Sequence, residues 1–205
     1  MNWGIWIAAV LVYALFAAWY FNWKGPLTAE EIEDLLPRLE ASSPTDPDVL
    51  RAFLEGDDGK AFTMVNLLRF REGKVAHPDT GAMVRGGALL QDYYKPFAAA
   101  LIKRGGHPVM IARVRGGAID SWNTADERFN VVGSMRYRSR RDLMILLTDP
   151  RFGDAHVYKL AAIDGTTSVP TQVSGGVALH PQIWVPMVLL LLASLAQNAV
   201  FLWRG

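Results

Sequence analysis

The stretch Ala61 to Phe70, AFTMVNLLRF, has the alternation of a β-strand. Phe62, Met64, Leu68 and Phe70 fall on one face, and Thr63, Val65, Leu67 and Arg69 on the other. Both faces are largely apolar, which predicts a central strand rather than an edge. Asn66 is the polar residue in its middle, and a buried amide must be hydrogen-bonded by protein, water or ligand.

Working outward, Arg71 to Val84 reads as loop and Arg85 to Arg104 as a helix that stops at Gly105-Gly106, where glycine adopts the left-handed turn that ends helices. Pro96 lacks a backbone donor, so a kink or break is expected there. Pro108 to Val114 and Arg128 to Arg138 follow as strands, with Gly116-Gly117 and Trp122 to Glu127 between them. Ser139-Arg140-Arg141-Asp142 caps a helix over Leu143 to Thr148, Asp149-Pro150 interrupts it, and Arg151 to Ile163 continues. A last strand fits Gly165 to Gln172. The order is βαββαβ, so the fold class is α+β, a ferredoxin-like four-stranded antiparallel sheet with helices on one face. Upstream, Thr28-Ala29-Glu30-Glu31 is a capping box opening a helix to about Glu40. Ser42 to Pro47 breaks that helix, and Asp46-Pro47 starts a short helix through Glu55.

Both ends of the chain are apolar. Asn2 to Trp23 and Pro181 to Trp203 carry no charged side chain, and a helix of roughly 20 residues spans the ~30 Å hydrocarbon core of a bilayer. Trp3, Trp6, Trp19, Tyr20 and Trp23 gather towards the ends of the first segment, and Trp184 and Trp203 bound the second, as amphipathic rings do at headgroup level. A cleaved signal peptide fits the first segment poorly, because it lacks a basic n-region and a small-residue cleavage site. The chain is thus expected to divide into a transmembrane helix (1–23), a helical connector (24–60), the α+β domain (61–173), a linker (174–182) and a second transmembrane helix (183–203). A multi-pass cell-membrane protein with two crossings follows. Its loop charges leave the side of the domain open, since the α-amino group and Arg204 oppose Lys24 and Arg38.

Neither apolar segment carries an ionisable group inside it, which disfavours transport. Small residues recur at Gly4/Ala8 and Ala14/Ala18, and Ser194, Gln197 and Asn198 form a polar patch. In lipid such faces let helices approach and hydrogen-bond, though alanine is also simply common in apolar helices. All 20 Asp and Glu and all but one of the 21 Lys and Arg lie between the ends, so no basic field marks a nucleic-acid partner. His77, His107, His156 and His180 show no metal-ligand spacing, and no nucleophile elbow, phosphate loop or dinucleotide fingerprint is present. No metal and no cofactor are expected.

The residues Met64 to Phe70, the Tyr94 to Gly106 helix end, Met135-Arg136-Tyr137, and Leu147 to Phe152 through His156 and Leu160-Ala161-Ala162 resemble a bacterial domain-of-unknown-function family of the dimeric α/β-barrel superfamily, over about 62–169. The resemblance implies a homodimer or a similar sheet-to-sheet partner. Its relatives include cofactor-free monooxygenases, haem-handling enzymes and isomerases, alongside proteins with no known activity.

Two functions are carried forward from here. The first is a non-catalytic accessory or assembly protein, with membrane lipid around its helices, that forms a homodimer or serves as a subunit of a membrane protein complex. The second is a membrane-tethered enzyme, an oxygenase or isomerase acting on an apolar small molecule, with Asn66, Tyr94, Arg113 and Trp122 lining its pocket. For each of these side chains the alternative is plain packing or solvation. An enclosed cavity with convergent polar groups favours the enzyme, and a filled core with an apolar surface favours assembly.

Overall fold

The structure, a computed structural model, describes residues 2–42, 45–117, 119, 120, 122, 128–175 and 180–204. Ser43-Pro44 in the expected helix break, 123–127 of the expected loop and 176–179 of the expected linker lie outside the described residues. The chain forms two compact units, Met1–Trp23 with Val173–Gly205, and Lys24–Gln172.

In the first unit, α1 (Trp3–Tyr20) opens on Asn2, whose side chain accepts the Gly4 N–H at 3.2 Å. Its partner is the C-terminal helix Pro181–Arg204, which continues through Pro186. The Asn2 N–H donates to Gln197 Oε1 at 2.8 Å. The start of one helix therefore meets the last turns of the other, and the two pack antiparallel. Ala193 and Gln197, one turn apart, are buried, while Val10, Leu11, Leu15, Leu190, Leu191 and Leu192 face outward. Both helices are long and apolar enough to cross a membrane.

In the second unit, α2 (Ala29–Ser42) and α3 (Pro47–Glu55) precede β1 (Phe62–Phe70), β2 (Lys74–Ala76) and β3 (Met83–Arg85). Then come α4 (Gly86–Lys103), β4 (His107–Arg113), β5 (Val131–Tyr137), α5 (Arg140–Leu147), α6 (Pro150–Ala162) and β6 (Ile163–Thr171), which makes the C-terminal helix α7. The capping box forms as expected: Thr28 N–H donates to Glu31 Oε2 at 2.9 Å and Glu31 N–H to Thr28 Oγ1 at 3.2 Å. Gly105 has φ 73°, the left-handed stop expected after α4.

The main sheet is antiparallel in the order β4-β5-β1-β6, so β1 is central as its two apolar faces require. Phe62 stacks on Tyr137 at 5.3 Å between ring centres. Around this pair lie Phe97 and Leu101 of α4, Leu143, Met144 and Leu146 of α5, and Phe152 of α6. Leu39 of α2 and Leu54 of α3 are fully buried in the same core, each worth about 2 kcal/mol of apolar burial. The segment 24–60, read as a connector, is packed into the domain's core.

Two local expectations are corrected. The stretch read as loop contains the β2-β3 hairpin, whose Val75 and Val84 pack on Leu89, Ala162 and Ile163; three-residue strands are too short to show a period. Of the kink or break expected at Pro96, the break is absent: α4 continues through it, and Leu89, Phe97 and Leu101 anchor the helix on both sides. The lost hydrogen bond is outweighed by that packing.

Candidate functional site

Strand register places Ile111, Gly133, Asn66 and Ser168 side by side across the helix-covered face of the sheet. On one side of this row lie Met64 and Met135, packed on the core around Phe62. On the other lies Leu68, packed on a second core of Leu89, Ala162 and Ile163. The row supplies no large buried side chain, and the apolar interior divides there. Gly133 is buried, yet a Cβ at that position would meet nothing within 4 Å. Asn66 Nδ2 donates to the Met64 carbonyl at 3.2 Å, and its Oδ1 accepts the Ser168 hydroxyl at 2.8 Å. Neighbouring strand groups thus occupy the amide's acceptor and one of its N–H bonds.

Helix α6 faces this interior with Phe152, His156, Lys159 and Ala162, which lie on one stripe at helical spacing. Lys159 Nζ lies 6.0 Å from the centre of the Tyr93 ring on α4, and the His156 ring meets Tyr93 edge-on at 6.0 Å. Burial pushes the Tyr93 phenol up to about 12. Burial lowers the Lys159 ammonium, and His156 is lowered by burial and then by the Lys159 charge. Among the described residues, the side chains of Tyr93, His156 and Lys159 make no hydrogen bond and no ion pair.

Of the residues singled out in the sequence, Asn66 lies in the middle row and Tyr94 follows Tyr93 on α4, half-buried, its phenol raised by burial. Arg113 is exposed at the end of β4, opposite Val131. Trp122 is 85% exposed in the β4-β5 connection. No hydrogen bond among the described residues joins any two of these four. On the helical pair Gln197 is buried, whereas Gly4, Ala8, Ala14, Ala18, Ser194 and Asn198 are exposed within this chain.

The other sheet face carries an apolar patch of Val65 and Leu67 of β1, Val132 of β5, Met110 of β4 and Val169 of β6, interleaved with Ser134 and Thr167 and bordered by Thr63, Arg136 and Thr171. None of these belongs to either core, and Met110 and Val169 are 48% and 45% exposed.

From the sequence, Ser139 to Asp142 reads as a helix cap only. Ser139 does cap α5, but the arginines also fasten α2 and α3. Arg141 pairs with Glu31 at 2.7 Å and donates to the carbonyls of Gly25 and Pro26. Arg140 binds the Phe53 carbonyl and lies 3.6 Å from the buried Asp57 carboxylate, which accepts the Leu27 N–H at 2.8 Å. Such long-range partners leave no local sequence signal. The hydrogen bond from Arg141 holds the Glu31 carboxyl at about 2, below the ordinary 4.5. A depressed carboxylate stabilises the folded state above its unfolded pKa, and that contribution is lost as pH falls from 4.5 towards 2. Glu31 is 38% exposed, so solvent screens the pair, and Glu31→Gln is expected to cost under about 1 kcal/mol at neutral pH. Urea melts of both proteins across this range should converge near pH 2.

Two open clefts lie on the surface of the domain. One, of about 400 Å³, lies where His77 and Asp79 meet Asp92, Lys95 and Tyr158. There His77 Nδ1 accepts the Asp79 N–H, so Nε2 carries the proton that faces Asp92 at 3.4 Å. The other, of about 420 Å³, is bounded by Arg69, Arg71, Arg128 and Asp164, with Asp164 bound to Arg69 at 3.1 Å. Among the described residues no group of three His, Asp or Glu side chains is arranged to hold a metal.

No family model and no curated protein matches the chain. Two crystal structures of RPA0582 are similar to it. The methylated protein is 21% identical, with a TM-score of 0.55 over 66% of this chain and 96% of that one. The other, described as a protein of unknown function from Rhodopseudomonas palustris, is 21% identical, with a TM-score of 0.54 over 66% of this chain and 98% of that one. The likeness establishes a shared α+β fold.

Proposed function

We propose that this is a two-pass membrane protein with a non-catalytic, assembling role: its α+β domain pairs sheet to sheet with a second copy, and its helices dock on a membrane protein complex. The observation that carries this reading is the apolar sheet face of Val65, Leu67, Met110, Val132 and Val169, which lies outside both cores. An antiparallel sheet with one helix-covered face normally gives the other face to water and polar side chains. An apolar patch of five large side chains among the polar ones is explained by a partner. The strand order β4-β5-β1-β6, with helices between β1 and β4 and between β5 and β6, supports a ferredoxin-like fold of the dimeric α/β-barrel type. The outward leucines of α1 and α7 support lipid as their surroundings.

The chain contains no cysteine, so single cysteines report pairing against a silent background. Val65→Cys, Leu67→Cys and Val169→Cys, oxidised mildly in native membranes, are expected to give disulfide-linked dimers. Leu160→Cys, 58% exposed on α6, is expected to stay monomeric. Equal cross-linking from all four positions, or none from the sheet, would contradict the proposal.

The second reading, a membrane-tethered small-molecule enzyme of the oxygenase or isomerase kind, is favoured by one observation. Tyr93, His156 and Lys159 bring polar groups without hydrogen-bond partners among the described residues together between α4 and α6, and on the sheet's helix-covered face a Cβ at Gly133 would meet nothing within 4 Å.

A further inference from the structure

We infer that the interior between α4, α6 and the middle row of the sheet is a binding site for a small carboxylate with an apolar body, with Lys159 as its cationic anchor. Lys159 lies on the inward stripe of α6, two turns beyond Phe152 and just before Ala162, and these two belong to the two separate cores. Along α6 it thus stands between a residue of one core and a residue of the other, beside Tyr93 of α4.

A half-buried lysine gives up part of its hydration, and burial disfavours its charge unless something answers it. A solvated lysine extends its ammonium into water, whereas this one lies over Tyr93 at 6.0 Å from the ring centre. The ring quadrupole offsets part of the lost hydration, but among the described residues no carboxylate meets it. Other carboxylates of the domain have partners: Asp164 holds Arg69, Asp92 faces His77, and Asp79 accepts the Tyr158 hydroxyl at 2.6 Å. Lys159 is half-buried, and a cation in that position without a carboxylate stabilises whichever anion can reach it, by a charge-assisted hydrogen bond about twice as strong as a neutral one.

The surroundings narrow the ligand class. One cation matches one negative charge, so a monocarboxylate suits the site better than a phosphate ester. Burial and the Lys159 charge both lower His156 and so favour its neutral ring, leaving Lys159 as the site's one cation among these three groups. The Tyr93 hydroxyl and His156 ring supply further hydrogen-bonding groups without partners among the described residues. Tyr93 stacks on Phe97 at 5.6 Å, and Phe97 meets Phe152 edge-on at 5.4 Å, which gives the ligand's body aromatic walls.

The test uses full-length protein in lipid nanodiscs with two probes of nearly the same shape, 4-fluorobenzoate and 4-fluorobenzamide, followed by fluorine NMR. The acid should bind saturably and the amide about tenfold more weakly or less. Lys159→Met keeps the apolar stem and should lose the acid's advantage, while Lys159→Arg should retain it; thermal melts check that both variants fold. The inference is overturned if acid and amide bind alike, if Lys159→Met titrates as the native protein does, or if neither probe binds.

Discussion

Asp142→Ala is expected to destabilise the α+β domain by about 3 kcal/mol or more, a large share of the ~5–15 kcal/mol that holds a domain together. The Asp142 side chain is only 6% exposed. It accepts the Ser139 hydroxyl at 2.8 Å and both arms of the Arg138 fork at 2.8 Å, and Arg104 lies 3.8 Å away. Truncation takes from the Arg138 guanidinium and the Ser139 hydroxyl the buried carboxylate that they share, which is the costly way to break a buried pair. It also loosens the start of α5, because Ser139 Oγ, held by Asp142, caps that helix. Through Arg140 and Arg141 the same corner fastens α2 and α3, so the loss should spread to the whole domain. Asp142→Asn, which keeps the Ser139 bond and one arm of the fork, should lose roughly half as much. Urea denaturation followed by tryptophan fluorescence measures both; an unchanged midpoint for the alanine variant would refute this account of the corner.

Val65→Arg combined with Leu67→Arg is expected to leave the protomer folded and weaken its self-association by about 100-fold or more. Both side chains are half-buried on the sheet face that neither core uses. In a lone protomer the long arginine stems can lie along this face with their charged ends in water, so stability should change by under about 1 kcal/mol. In a pair related by a two-fold axis each substitution occurs twice, and four guanidiniums meet without counter-charges. The contrast between an intact melt and a lost pair separates an interface effect from a folding defect.

The sequence was most informative where the cause is local. The alternation of Ala61 to Phe70 gave a central strand because period and face composition belong to the segment itself. The Thr28-Glu31 box and the Gly105 stop were legible for the same reason, since their partners are three or four residues away. The β2-β3 hairpin was not, because strands of three residues carry no period, and the break allowed for at Pro96 did not form because a local penalty lost to distant packing by Phe97 and Leu101. The candidate site was legible only in part. Asn66 stood out as a polar residue in an apolar strand. Lys159 did not, because a lysine on an amphipathic helix reads as a solvated face until the fold shows that its stripe, shared with Phe152 and Ala162, points inward. Arg140 binds the Phe53 carbonyl 87 positions away and Arg141 the Glu31 carboxylate 110 positions away in the chain, separations that no motif reports.

The central claim is that this sheet face exists to be covered by a second copy. The most direct measurement is sedimentation equilibrium of the full-length protein in density-matched mild detergent, alongside the Val65→Arg, Leu67→Arg double variant. The native chain is expected at twice the 22.7 kDa of a single protomer, and the variant at one protomer. A native protein that sediments as a single 22.7 kDa chain at micromolar concentration, or a variant that stays paired, would contradict it.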